Sequence, residues 1–494
     1  MQMELENMTS EKLLEVIKEL KAENNYLQFQ IDQLNRLLFG SKRERFMPNR
    51  DENQLTLPFE VPQEQEPEKE QEVITYVREK TKRENHPGRL TLPSHLPVEE
   101  IVIEPKEDTT GLKCIGKEIT DQLELVPAKL YVKRFIRPKY IRPTDDTGLN
   151  HEGIIADLPT FPIEKGIAGP GLLAQIMVDK FVDHLPIFRQ IERFKREGIK
   201  IPSSTLNGWQ ESVCNLLEPL YDTLKHRVLS QGYLQVDETP IQVLNQAKKG
   251  KTHRGYHWVY YSPLEKTVFF DYNNGRSREG PTRLLKDFKG YLQTDGYNVY
   301  DIFGKKEHIT LLNCMAHARR GFEKALDYDK AKAGYAMGMF QKLYAIEQKA
   351  RDENLTPQKR HELRLDQSLP ILNDLGKWIV ETYKTELPKS ALGKALAYCI
   401  PRWDNLIAYL NDGSLEIDNN LAENAIRPIA LGRKNYLFAG SERGAERAAM
   451  FYSFFGTCKK NNINPFDWLK KVLEVIPDYK VNQLTDLLPQ KLVL

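Results

Sequence analysis

Three acidic residues occupy the settings best suited to chemistry. Asp237 lies in Gly-Tyr-Leu-Gln-Val-Asp-Glu-Thr-Pro, Asp295 in Gly-Tyr-Leu-Gln-Thr-Asp-Gly-Tyr, and Glu423 in Asp-Asn-Asn-Leu-Ala-Glu-Asn-Ala-Ile-Arg-Pro. Each aspartate follows a short apolar run bounded by Gly or Pro, the pattern of a buried strand end. Period two puts Leu234 and Val236 on one face and Gln235 and Asp237 on the other. Asp418, Asn419 and Asn420 are candidate N-caps, so a short helix is expected over Leu421 to Ile429. Arg427 then stands four residues after Glu423 on the same face.

Taken singly, an acid at a strand end reads as a turn former or a cap. Three carboxylates gathered without a cation repel one another, and one is driven to its neutral form. Mg²⁺ changes that reading, because small hard cations take carboxylate oxygens as ligands. Two such ions about 4 Å apart activate a water or a 3′-hydroxyl and stabilise the leaving oxygen. Asp237, Asp295 and Glu423 are therefore candidate catalytic and metal-ligating residues, with Mn²⁺ a possible substitute for Mg²⁺.

The elements that must position these acids are read along the chain. With 494 residues, 40% apolar and 28% charged, the chain is long enough for several domains with true cores. A net charge of +2 does not mark a nucleic-acid binder, so any such surface must come from local segregation of charge. No apolar run spans a membrane, no signal peptide is recognisable and five scattered cysteines form no disulfide framework. A reducing cytoplasm is the expected compartment, with no membrane partner.

Residues 1–40 read as a coiled-coil dimerisation helix. Leu13, Leu20, Leu27 and Leu34 recur every seven residues, with Ile17, Asn24 and Ile31 among the a positions. That pattern favours a parallel pair, so a homodimer or higher oligomer through residues 5–38 is expected. An amphipathic helix packed on its own domain is the alternative. Residues 41–72, rich in Glu, Gln and Pro, read as a linker. Residues 73–165 read as a small β-rich module, with 126–135 alternating like a strand.

Residues 166–230 read as three helices: 171–182, 185–196, and one capped by Ser203 or Ser204 that runs to Leu216. The connection 197–202 fits a helix-turn-helix. Ser204, Asn207 and Gln210 would then meet bases, and Arg189, Arg193, Arg196 and Lys200 phosphates. An ordinary three-helix bundle gives the same pattern, and Trp209 reads as core.

A catalytic core is expected over 231–321, with strands at 232–244, 254–262, 266–272, 290–294 and 309–314 and a helix at 281–288. Cys314 and His317 form a Cys-x2-His pair. Two ligands alone do not make a zinc site. Cys314 is read as buried structure, and His317 is open between structural support and the active site. Arg319 and Arg320 could face phosphates. Residues 322–412 read as an all-helical insertion, 413–460 as the second part of the core, and 461–494 as a helical tail around Trp468. Arg427, Arg433 and Lys434 would suit a DNA backbone near the acids.

These strings, with Asn-Cys-Met-Ala-His-Ala-Arg-Arg at 313–320 and Ala-Leu-Gly-Arg-Lys-Asn-Tyr-Leu-Phe-Ala-Gly-Ser at 430–441, resemble the DDE transposases of the insertion sequence 66 family. The resemblance implies a multidomain α+β protein whose ribonuclease-H-like α/β catalytic domain binds element ends, cuts DNA and joins it to a target. Its acidic triad falls on Asp237, Asp295 and Glu423. It also implies DNA as partner, both terminal inverted repeats and target, and accessory proteins of the same element. In the family, the region of the β-rich module carries a four-cysteine zinc site. Here only Cys114 remains, and Tyr140 to Pro143 stands where a second cysteine group is expected, so no zinc is expected. Two rivals stay open: a nuclease of the same fold without strand transfer, and an inactive DNA-binding or regulatory protein of the element.

Overall fold

The run that carries Asp237 becomes the central strand of a five-stranded sheet. The computed structural model describes residues 130–136, 139–141, 153–155, 157–164, 166–245 and 250–492. The coiled coil, the linker and most of the β-rich module lie outside the described residues. Arg43–Asp157 belongs to one unit and Leu158–Leu494 to another. In the first, β1 (Lys139–Ile141) and β2 (Gly153–Ile155) pair antiparallel. The strand expected through 126–135 does not form over its described part: 130–136 has no regular structure, and Tyr131 and Val132 are more than 80% exposed. Alternation makes a strand only where a partner takes its backbone bonds and a core takes one face.

The larger unit opens with α1 (Pro170–Phe181), α2 (Ile187–Arg196) and α3 (Ser203–Leu229). Neither Ser203 nor Ser204 caps α3: Pro202 holds the N-cap position, with no side-chain cap bond. The helix also runs past Leu216 to 27 residues, about 40 Å. A buried stripe through Leu206, Val213, Leu217, Leu220, Leu224 and Val228 continues across Pro219, so packing outweighs the helix breaker.

The sheet comprises β3 (Tyr233–Leu244), β4 (Thr252–Ser262), β5 (Thr267–Asn273), β6 (Gly290–Thr294) and β7 (Ile309–Asn313). Its order is β5-β4-β3-β6-β7, antiparallel from β5 to β3 and parallel from β3 to β7. The short α4 (Glu279–Leu284) connects β5 to β6. Gly290 sits at φ +124°, where a Cβ would collide with the Gly232 carbonyl, so close approach of β6 to β3 requires glycine.

Helices follow: α5 (Met315–Ala325), α6 (Lys330–Asp352), α7 (Pro357–Leu363), α8 (Leu369–Thr385), α9 (Ala391–Cys399), α10 (Trp403–Ile407), α11 (Asn420–Tyr436), α12 (Glu442–Lys460) and α13 (Pro465–Val475). Two cores flank the sheet. Leu234 and Val236 point into one with α1, α3, α12 and α13; Tyr233 and Leu312 join the other, built from α5, α6, α8, α9 and α10. Edge strand β5 is covered by α12, whose Ser453 and Thr457 hydroxyls accept from Phe270 N (2.7 Å) and Val268 N (3.0 Å). Those are the backbone donors that an open edge would leave to water or another chain.

Candidate active site

Asp237 and Asp295 are placed by strand register. In the parallel pair of β3 and β6, Gln235 stands opposite Gln293. Each aspartate lies two residues beyond its glutamine, at the same end of the sheet. The third acid arrives from far along the chain, in the first turn of α11. That helix is longer than the expected 421–429, and Asn419 at its N-cap makes no side-chain cap bond. Asp418 ties the turn instead, its Oδ1 accepting from Asn420 N at 3.1 Å.

Two glutamines latch the segment carrying Glu423 to the sheet. Gln235 donates from Nε2 to Asp418 O at 2.9 Å, and its Oε1 accepts from Ala422 N at 3.1 Å. Gln293 donates from Nε2 to Glu416 O at 2.8 Å. Tyr233 joins them, its hydroxyl accepting from Glu416 N at 3.0 Å and donating to Gln293 Oε1 at 2.5 Å. All three side chains are buried. A buried network with its donors and acceptors paired fixes one geometry, because each lost partner costs a desolvation penalty. The sequence signal is the repeated Gly-Tyr-Leu-Gln-x-Asp at 232–237 and 290–295, which puts each glutamine two residues before its aspartate on one strand face.

Burial first, then the charges of Glu238, Asp295 and Glu423, raise the Asp237 carboxyl well above its ordinary range. Glu238, its neighbour, turns to other partners: Arg276 Nε donates to it at 2.7 Å and the Tyr300 hydroxyl at 2.9 Å. Glu423 is held by Arg320, whose Nη2 donates to its two oxygens at 2.9 and 3.2 Å. His317 Nδ1 stands 3.8 Å from Glu423 Oε1, and Arg320 Nη1 lies 3.0 Å from His317 Nε2. Burial, then the Arg320 charge, lowers the His317 pKa, which favours the neutral ring.

The helical insertion grips the same end of the sheet. The Tyr398 hydroxyl, on α9, donates to Asp295 O at 2.7 Å, and Arg402, in the turn after α9, donates from Nε to Gly296 O at 3.2 Å. Gly296 has φ +87°, and a Cβ there would press on the Tyr398 hydroxyl at 2.7 Å. From α6, the Tyr344 hydroxyl donates to Asp418 Oδ2 at 2.8 Å. The lobe between Asp295 and Glu423 thus holds the backbone beside the first and the turn before the second. None of these braces was legible in the sequence.

The proposed DNA contacts fare unevenly. Arg189, Arg196, Lys200, Ser204, Asn207 and Arg427 are exposed, as a surface contact requires. Gln210 is not: it is buried and accepts from Lys180 Nζ at 2.7 Å, which removes it from the base-reading set. Arg193 is paired with Asp179, and Arg433 donates to the Pro240 carbonyl. Arg319 lies 3.9 Å from Glu323, and Lys434 is exposed. Trp209 is buried, as expected.

The comparisons with known proteins bear on the whole chain. The model described as "Transposase IS66 family" matches residues 165–447, a span that contains all three acids. The chain belongs to the IS66 transposase family. "Transposase C of IS166 homeodomain" matches residues 26–101 and "IS66 C-terminal element" residues 453–490. Among curated relatives, uncharacterized protein y4hP of Sinorhizobium fredii is 31% identical over 94% of this chain and 88% of its own length. Uncharacterized protein y4jD of the same organism is 32% identical over 81% of each chain. No solved structure gives a significant match. IS66 membership places the chain among insertion-sequence transposases, an enzyme class that cleaves DNA and uses divalent metal ions. No helix among the described residues is long and apolar enough to cross a membrane.

Proposed function

We propose that this IS66 family member cuts DNA at the ends of an insertion sequence and joins it to a target through Asp237, Asp295 and Glu423. One observation carries the reading: parallel pairing of Gln235 with Gln293 brings Asp237 and Asp295 to one end of the sheet, and the Gln235 bonds to Asp418 O and Ala422 N bring the turn that carries Glu423 to the same strand. The sheet order β5-β4-β3-β6-β7, with its first three strands antiparallel, supports a ribonuclease-H-like core.

The donor set fits a hard divalent cation, since the three acids supply only carboxylate oxygens. Bound Mg²⁺ ions would activate the attacking oxygen and stabilise the leaving one. The chain's own part is positioning. Gln235 and Gln293 fix the approach of Glu423, Tyr398 and Arg402 fix the turn after Asp295, and Arg276 neutralises Glu238 beside the site. Arg320 balances Glu423 until a cation takes that role. Arg427, Lys434 and the exposed basic residues of α2 would meet DNA phosphates, while Ser204 and Asn207 would face bases.

The test uses a precut element end with a free 3′-hydroxyl, a target plasmid and Mg²⁺. Joined product that disappears in D295N supports the reading. Cleavage of uncut ends without any joining of precut ones would instead support a nuclease.

A further inference from the structure

We propose that Cys314, His317 and Glu423 form a binding site for one borderline transition-metal ion of the Zn²⁺ class, beside the acidic set. One donor atom from each lies within 4.8 Å of those of the other two. The chain shows only a Cys-x2-His pair; the fold supplies the third donor by bringing the first turn of α11 against the start of α5.

Three features make this a prepared site. Cys314 is fully buried at the N-cap of α5, with its sulfur within 4.8 Å of the other two donor atoms. His317 Nδ1 has no hydrogen-bond partner, and 3.8 Å separates it from Glu423 Oε1. The donors are one thiolate, one imidazole and one carboxylate, a mixed set that suits zinc rather than magnesium. Three protein ligands with a fourth position for water is also the arrangement of an open zinc site.

Arg320 lies against two of the three donors. Arg320 Nη1 donates to His317 Nε2 at 3.0 Å, and an arginine cannot accept, so the neutral ring carries its proton on Nδ1. On loading, the Cys314 thiol proton leaves to solvent and the ring proton moves to Nε2. Arg320 then loses both its imidazole acceptor and its carboxylate partner. Its side chain is 44% exposed, so it can turn to water or phosphate. A doubly charged ion less one proton replaces one departing guanidinium, and the net charge of the site does not change.

Binding at this site does not depend on the transposase reading. One consequence does: Glu423 held by zinc is withdrawn from Asp237 and Asp295, so zinc should inhibit any Mg²⁺-supported cleavage.

The test is a Co²⁺ titration of the metal-stripped full chain, followed by Zn²⁺. The expected spectrum has intense four-coordinate bands and a thiolate-to-cobalt charge-transfer band, saturating at one equivalent and bleached by Zn²⁺. C314S should lose the charge-transfer band, and H317Q should weaken cobalt binding by about tenfold or more, a loss that even a supporting partner costs a metal site. D237N should leave the spectrum unchanged, which separates this site from the acidic set. H317Q alters a partly exposed ring and carries the test if C314S fails to fold. Weak six-coordinate cobalt bands alone in the wild type would overturn the proposal, as would a charge-transfer band that survives in C314S.

Discussion

Gln235 does more for the proposed centre than its neutral side chain suggests. Its two amide atoms serve both sides of the turn before Glu423; a leucine there would leave Asp418 O without this donor and Ala422 N with only its bond to Asn419 O. Each buried group left unpaired costs about 1–3 kcal/mol. Q235L should therefore lower the melting temperature and reduce nicking, with end binding retained. Nicking at the wild-type rate in a destabilised Q235L would show that the latch serves the fold alone. Asp237 and Asp295 were legible because period two and flanking glycines mark strand ends. Their glutamine neighbours were not, because a buried Gln in a strand is explained only by its partner, here 183 residues away. The same limit applied to Cys314 and His317, whose third donor belongs to a distant helix.

Among the elements, the helical insertion was expected from its periodicity, but its tie to the sheet was not. Fully buried Arg364, in a single π-helical turn (Arg364–Ser368), donates to Glu347 and to the carbonyls of Tyr409, Asp412 and Leu415. Arg360 pairs with both Glu347 and Glu416. Burial alone would push the Glu347 carboxyl up; Arg364 and Arg360 outweigh it and hold it below the usual range. Removing Arg364 leaves Glu347 only Arg360 and strips three backbone carbonyls of their donor, at about 3–5 kcal/mol. R364M should destabilise the chain by that order in urea unfolding; an unchanged midpoint would contradict the account. Helix boundaries were the weaker part of the reading. The Ser203 and Ser204 cap failed because Pro202 occupies that position, and α3 overran its expected end because its apolar stripe continues beyond Pro219.

For the whole molecule, one buried imidazole ties the sheet to the helix that covers its edge. His257 is fully buried in β4, with Nε2 3.0 Å from Ala445 O at the start of α12. Burial lowers its pKa to about 4. The unfolded chain, with an imidazole near 6.5, binds this proton first. Stability should thus fall as pH drops from about 6.5 to about 4, by on the order of 3 kcal/mol. Replacing His257 with Gln should flatten that slope in urea titrations; an unaltered slope would show that other groups set it. The five strands and the α+β class were readable because both strand and helix periods are strong here. Strand order was not fixed by period, since it depends on long-range pairing.

The most direct test of the account is nicking of a labelled DNA fragment bearing the element end, with Mg²⁺ and with EDTA, by wild type and Glu423→Gln. The account predicts Mg²⁺-dependent nicking by the wild type, abolished by EDTA and by the variant, with end binding retained. Nicking that persists in Glu423→Gln would place the chemistry outside the three acids and contradict the account.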